Sequence, residues 1–294
     1  MSRSKLQAAA RLLRKLGGIL AALYLVAAWA LWFFQDRFLF HPKPYAASAL
    51  TQVEERGGRR LVVTTSQGRQ VAFYKPPREH GAEAPAFVWF VFPGRGSLAL
   101  DYWGHTSYWD RRFAYVFVDY PGYGLCEGQP STAPIGESVS AIAAELCRAL
   151  GWTENDLRQH AGVLGHSMGC AAALQAADHL RLSRAVICAP FTSLQAMAQH
   201  VVGWPLCYLQ RQSFDNVERI AALEASGIAA QIRVFHGTND HTIPVEMSRS
   251  LADRFPKTVQ LTLAPGATHG GIMLDAREKI GRAMQELAGL HGDR

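Results

Sequence analysis

In Gly165-His166-Ser167-Met168-Gly169 a serine stands two residues from a glycine on either side. An apolar run precedes it (Ala161 to Leu164) and a small-residue run follows (Cys170 to Ala173). A strand–serine–helix junction of this kind is what a nucleophile elbow requires. The glycines let strand and helix approach, and the sharp turn displays the hydroxyl. The helix N-terminus leaves backbone N–H groups unpaired where an oxyanion would form. Taken alone, the same stretch also reads as a turn that needed small residues.

A serine hydroxyl needs a base to become nucleophilic, and the base needs a carboxylate to hold its tautomer. Asp240 follows the strand-like run Gln231 to Phe235, within His236-Gly237-Thr238-Asn239-Asp240. His269 lies in Pro265-Gly266-Ala267-Thr268-His269-Gly270-Gly271, after the run Thr258 to Ala264. The order serine, aspartate, histidine is the one a triad takes on a parallel α/β sheet, and sites on such sheets gather at the C-terminal ends of strands. Plainer roles exist for both: Asp240 as the cap of a helix starting about four residues on, and His269 as one loop histidine among eleven. His236 and His241 flank Asp240 without a third ligand at useful spacing, so neither a metal nor an organic cofactor is expected.

Acyl transfer also needs two donors for the oxyanion. The Met168 N–H is one. The other is expected from Phe92-Pro93-Gly94-Arg95-Gly96-Ser97, as the Arg95 N–H, because Gly94 and Gly96 let the backbone reach the site. Asp119-Tyr120-Pro121-Gly122-Tyr123-Gly124 is a further Gly-rich turn on the same sheet edge. Trp103, Trp109, Trp204 and Leu206 are candidates for an acyl pocket, with Trp103 and Trp204 taken as substrate-binding. Core packing accounts for such residues equally well.

The elements that must position these groups alternate along the chain. Residues 60–66 and 70–76 read as a hairpin turning at Gln67-Gly68. Residues 86–92 and 113–120 are continuous apolar runs, as strands buried on both faces are. Helical spacing over 136–150 ends at Gly151. Strand-like runs at 161–167, 184–190, 231–237 and 258–264 alternate with helices, the last helix running from about 273 to 289. This order predicts an α/β fold with a mostly parallel central sheet and helices on both faces. Residues 191–230 hold no convincing strand and read as a small helical cap.

The net charge of +6 is concentrated at the N-terminus. Arg3, Lys5, Arg11, Arg14 and Lys15 meet no acidic residue among the first fifteen, which leaves about +1 for the rest, and no basic run with interleaved aromatics follows. A nucleic-acid partner is therefore not expected. Residues 17–34 carry no charge and are long enough, at about 1.5 Å per residue, to cross a bilayer. Bulky Leu31, Trp32, Phe33 and Phe34 favour an uncleaved anchor over a signal peptide ending at Ala28-Trp29-Ala30. The expected organisation is a basic cytoplasmic stretch (1–16), a transmembrane anchor (17–34) and a catalytic domain (35–294). By the positive-inside rule that domain lies in the periplasm of a bacterium, or in a lumen or outside the cell in a eukaryote. The five cysteines show no metal-ligand spacing and do not fix the redox compartment.

These motifs in this order resemble the serine α/β-hydrolase superfamily. The N-terminal anchor leading into Gln35-Asp36-Arg37-Phe38-Leu39-Phe40-His41-Pro42 is similar to the single-pass membrane-anchored hydrolases related to protein depalmitoylases and lysophospholipases. The resemblance implies Ser167 as nucleophile, His269 as general base and Asp240 as its orienter, acting on an ester or thioester of an acyl lipid, a small molecule or an acylated protein. Two departures stand out: Pro93-Gly94 where similar proteins have His-Gly, and Cys126 where they have serine. A catalytically inactive hydrolase-fold scaffold, or an acyltransferase using the same triad, are the alternative functions.

Overall fold

The computed structural model describes residues 3–78, 85–133 and 135–290. Residues 1 and 2 of the expected basic N-terminus lie outside the described residues. In chain order the elements are α1 (Arg3–Leu39), α2 (Ala47–Glu55), β1 (Arg59–Thr65), β2 (Gly68–Lys75), β3 (Phe87–Phe92), β4 (Phe113–Val118), α3 (Ile135–Leu150), α4 (Glu154–His160), β5 (Ala161–His166), α5 (Met168–Leu180), β6 (Arg184–Cys188), α6 (Leu194–Val202), α7 (Asn216–Ala225), β7 (Gln231–Gly237), α8 (Val245–Arg254), β8 (Val259–Ala264), α9 (Ile272–Asp275) and α10 (Arg277–Leu287). Two 3-10 segments, Ala99–Tyr108 and Leu206–Leu209, complete them.

The strands form one eight-stranded sheet in the order β1-β2-β4-β3-β5-β6-β7-β8. β1, β2 and β4 pair antiparallel, and every other pairing is parallel. This is the mostly parallel α/β architecture that the sequence predicts. β3, β4 and β5 are buried at every position because alternate side chains serve two cores. Val88, Phe90 and Phe92 face the helices α3, α5 and α7, while Phe87, Trp89 and Val91 face Trp109 and Met284 of α10. A continuous apolar run is thus the sum of two interleaved faces.

The N-terminal helix is longer than the expected span. It runs unbroken for 37 residues through the basic stretch, the apolar stretch and Gln35–Leu39, and Pro42 and Pro44 prevent its continuation. Ala10–Leu39 is long and apolar enough to cross a membrane. Of the expected cap, α6 and the 3-10 turn at 206–209 border the cavity described below. α7 instead buries Ile220 and Leu223 in the core against α5. It is a layer helix of the domain, because its apolar spacing is satisfied by the sheet-side core.

The connector after α1 is stitched to the loop that follows β4. The Gly124 N–H donates to the Lys43 carbonyl at 3.0 Å and the Tyr45 hydroxyl to Asp119 at 2.6 Å. Gly124 has φ +58°, and a Cβ there would lie 2.5 Å from the Tyr45 ring, so only glycine fits. Asp119 is buried and accepts from the Ala99 N–H as well. Burial pushes its carboxyl up to about 6 against the hydrogen bond from Tyr45. The folded state therefore binds this proton more tightly than the unfolded chain does, so the stabilisation is present below the unfolded value of 3.8 and is lost as pH rises through 6. Thermal unfolding in detergent at pH 4 and pH 6.5 should show Asp119→Asn gaining stability relative to wild type at the higher pH. The gain should be up to roughly 3 kcal/mol; an unchanged difference would remove Asp119 from the pH dependence.

Candidate active site

Ser167 joins β5 to α5 with φ +57° and ψ −123°, a backbone region that non-glycine residues rarely occupy. The surroundings hold it there. Its N–H donates to the Cys188 carbonyl of β6 at 2.9 Å, and the flanking glycines are in close backbone contact. A Cβ on Gly165 would lie 2.3 Å from the Gly169 oxygen, and one on Gly169 would lie 2.1 Å from the Phe92 oxygen. The glycines supply room, not flexibility: no other residue lets β3, β5 and α5 meet at this distance.

The structure brings Ser167, His269 and Asp240 together. The Ser167 hydroxyl lies 2.9 Å from His269 Nε2, and His269 Nδ1 lies 2.7 Å from Asp240 Oδ2. The carboxylate has no exposed surface, whereas the imidazole retains 19%. Asp240 Oδ1 also accepts from the amides of Thr242 and Ile243. Burial alone would raise the Asp240 carboxyl, but hydrogen bonds from His236, His269 and the Ile243 amide outweigh it and hold the group well below the usual carboxylate range. A permanent anion therefore faces the Nδ1–H of His269 and leaves Nε2 as an acceptor for the serine proton.

Met168 opens α5, where a first-turn N–H has no intrahelical acceptor. The Arg95 loop is held by its carbonyls: Tyr120 donates to the Pro93 oxygen at 2.6 Å, Tyr123 to the Arg95 oxygen at 2.7 Å, and the Ser97 N–H to the Gly94 oxygen at 3.0 Å. With the Gly94 carbonyl turned into that tight turn, the trans peptide points the Arg95 N–H the opposite way. Arg95, Ser167 and Met168 line one cavity. The Gly94 N–H is already engaged, donating to the Tyr102 hydroxyl at 3.3 Å.

Several site residues carried no separate signal in the sequence. The Tyr102 hydroxyl reaches His166 Nδ1 at 2.7 Å, and His166 Nε2 reaches the His269 carbonyl at 2.9 Å. This chain braces the loop that carries His269. Burial, with the nearby His269, pushes the His166 imidazole down to about 4, so it stays neutral. His236, buried behind Asp240, takes a hydrogen bond from Ser248 at 2.6 Å and donates to the Ile243 carbonyl at 3.0 Å, with its Nε2 3.3 Å from Asp240. His166 sits inside the serine motif and Tyr120 and Tyr123 inside a Gly-rich turn, so motif reading sees them only as spacers. Tyr102 lies in a 3-10 segment with no pattern at all.

The two tryptophans expected at the substrate are not at the cavity. Trp103 is 7% exposed, stacked on Phe117 and capped by the Lys75 ammonium 4.7 Å above its ring. Its large apolar surface is consumed by the core. Trp204 is 78% exposed beyond the end of α6. Leu206 does line the cavity, and Trp109 is buried with its indole N–H on the Arg277 carbonyl. Among the described residues no cluster of three His, Cys, Asp or Glu groups is placed to hold a metal ion.

A mostly parallel eight-stranded sheet with a strained serine at the β5–α5 turn defines the α/β-hydrolase fold. Residues 80–223 match the model of the alpha/beta hydrolase family, a segment that includes Ser167 and ends before Asp240. An uncharacterized protein of Mycobacterium tuberculosis is 28% identical over 280 residues, covering 88% of this chain and 92% of its own. Alpha/beta hydrolase domain-containing protein 17C of Xenopus tropicalis is 23% identical over 159 residues, 54% of this chain and 47% of that one. An esterase of Pyrococcus furiosus shares the fold with TM-score 0.63 at 12% identity, covering 85% of this chain and 99% of its own.

The backbone strain at Ser167 gives a direct test. Ser167→Gly removes the Cβ from a conformation that costs about 1–3 kcal/mol, against roughly 0.5–1 kcal/mol lost to glycine's freedom in the unfolded chain. Chemical denaturation should therefore find Ser167→Gly about 1 kcal/mol more stable than Ser167→Ala. Gly169→Ala should cost about 3 kcal/mol or more, because backbone must move to admit it.

Proposed function

We propose that the protein is a membrane-anchored serine hydrolase that cleaves carboxylic esters or thioesters through an acyl-enzyme on Ser167. The observation that carries this reading is the continuous hydrogen-bond chain from Ser167 through His269 to the buried Asp240. Ser167 Oγ attacks the acyl carbonyl while His269 Nε2 takes its proton, and Asp240 stabilises the imidazolium that results. The carbonyl oxygen, now an anion, is received by the amides of Met168 and Arg95, which are fixed before the substrate arrives. The imidazolium then protonates the departing alcohol or thiol. Water, deprotonated by the same histidine, attacks the acyl-serine and releases the acid, restoring Ser167. No metal or organic cofactor has a part in these steps.

α1 supports the anchoring half of the proposal, since its apolar part is long enough to span a bilayer and its most apolar stretch holds no buried residue. With the basic stretch cytoplasmic, the hydrolase domain stands on the opposite side of the membrane.

A fluorophosphonate probe should label the wild-type protein covalently, and Ser167→Ala should abolish both labelling and turnover of a p-nitrophenyl ester. His269→Ala should fall nearly as far, because base and nucleophile act as a unit. Asp240→Asn should reduce turnover by about 10³–10⁴ by favouring the wrong tautomer. Labelling that persists in Ser167→Ala would sink the assignment, and full turnover in His269→Ala would move the base elsewhere.

A further inference from the structure

We propose that the cavity beside Ser167 is an acyl-chain subsite with α1 as one wall, and that the acyl chain of a bilayer-resident ester lies along this helix. The inference rests on the hydrolase reading above and adds a substrate class and the residues that select it.

The cavity measures about 350 Å³, within the range of sites that enclose a small ligand. From α1 it is lined by Leu31, Gln35, Phe38 and Leu39. Those positions are spaced by four, three and one, which places them on one face of the helix. Arg95 donates from Nη1 to the Phe38 carbonyl at 2.8 Å, so the Phe38 end is the one beside the oxyanion loop. Leu31 lies about 10 Å further along the axis, inside the uncharged stretch 17–34. The cavity therefore follows α1 from the serine back toward the part of the helix that crosses the membrane.

The opposite wall comes from the segment between β6 and α7, through Leu194, Met197, Val201, Leu206 and Leu209. The Gln35 and Gln212 side chains at the lining are spent on the protein. The Gln35 amide donates to the carbonyls of Trp32 and Leu209 and accepts from the Arg211 N–H. The Gln212 amide donates to Asp36 and accepts from Thr132. What remains facing the space is largely hydrocarbon, which suits an acyl chain and not a polar ligand. The same bonds, with the Arg211–Asp36 ion pair at 2.7 Å, tie the end of α1 to this segment and keep the two walls in register.

The rim points the same way. Val201 lines the cavity and is still 70% exposed, and Trp204 and Tyr208 nearby are equally open. On α1, Trp32, Phe33 and Phe34, next to Leu31 in the chain, are exposed. Aromatic and aliphatic side chains at the end of a span suit the headgroup level of a bilayer. A chain leaving the cavity there enters lipid, not water.

The test uses the full-length protein in phospholipid vesicles with p-nitrophenyl acetate and p-nitrophenyl palmitate as probes. Leu31→Trp, which fills the cavity far from Ser167, should lower the palmitate-to-acetate ratio of kcat/KM by about tenfold or more. Leu25→Trp, on the same helix but outside the cavity, should leave the ratio at the wild-type value. Fluorophosphonate labelling of each variant reports that the site is folded. An unchanged ratio in labelled Leu31→Trp, or an equal fall in Leu25→Trp, overturns the proposal. A wild-type protein that neither labels nor cleaves acetate overturns the hydrolase reading instead. A diacyl phospholipid and an S-palmitoylated peptide in the same vesicles then separate the two sources of the chain. Sensitivity of either cleavage to Leu31→Trp supports the subsite, and insensitivity of both contradicts it.

Discussion

The backbone of Ser167 is held in a conformation that the residue would not choose, and much of the site depends on how that is achieved. Three backbone segments meet at the turn: the end of β3 at Phe92, the end of β5 at Gly165, and the first turn of α5 at Gly169. Their contact requires two residues without a Cβ, and the Ser167 N–H bond to Cys188 locks the turn to β6. The serine cannot relax without separating strands buried on both faces. Strain at one residue is therefore secured by the packing of the whole central sheet.

The rest of the site is arranged around that fixed point with little freedom left. Asp240 is immobilised by two backbone amides and His236, and it in turn fixes the ring of His269. The loop carrying His269 is anchored from the other side by His166, the neighbour of the serine itself. Tyr120 and Tyr123 hold the carbonyls of the Arg95 loop outward. Each group that would move charge during acyl transfer is oriented by a neighbour that does not react, which is the arrangement that lowers reorganisation during the reaction.

Much of this was legible in the sequence where chemistry and backbone geometry coincide in a short motif. The central strands, the hairpin at Gln67-Gly68 and the order of Ser167, Asp240 and His269 follow from periodicity and local spacing. What escaped is contact between segments far apart in the chain. Tyr102 reaches His166 across 64 positions, and no local pattern announces it. Trp103 and Trp204 illustrate the converse: a large aromatic residue is equally suited to core and pocket, and only the fold assigns one to Phe117 and leaves the other in the open. The anchor expected at 17–34 was read from charge composition, which does not say where a helix ends, and α1 continues on both sides of that stretch. The continuation through Gln35–Leu39 matters most, since it carries the helix to the cavity beside Ser167.

On the proposed function, the helix, the cavity and the elbow make up an acyl-transfer site joined to a membrane anchor through Arg95, which donates to the Phe38 carbonyl and lines the cavity beside Ser167. The account stands on covalent chemistry at one side chain. Rapid mixing with an activated ester, acid quench within milliseconds and mass analysis of the digested protein tests it most directly. The account predicts one acyl group, on the peptide that contains Ser167, appearing before steady turnover. Turnover without any acyl adduct, or an adduct on a peptide lacking Ser167, would contradict it.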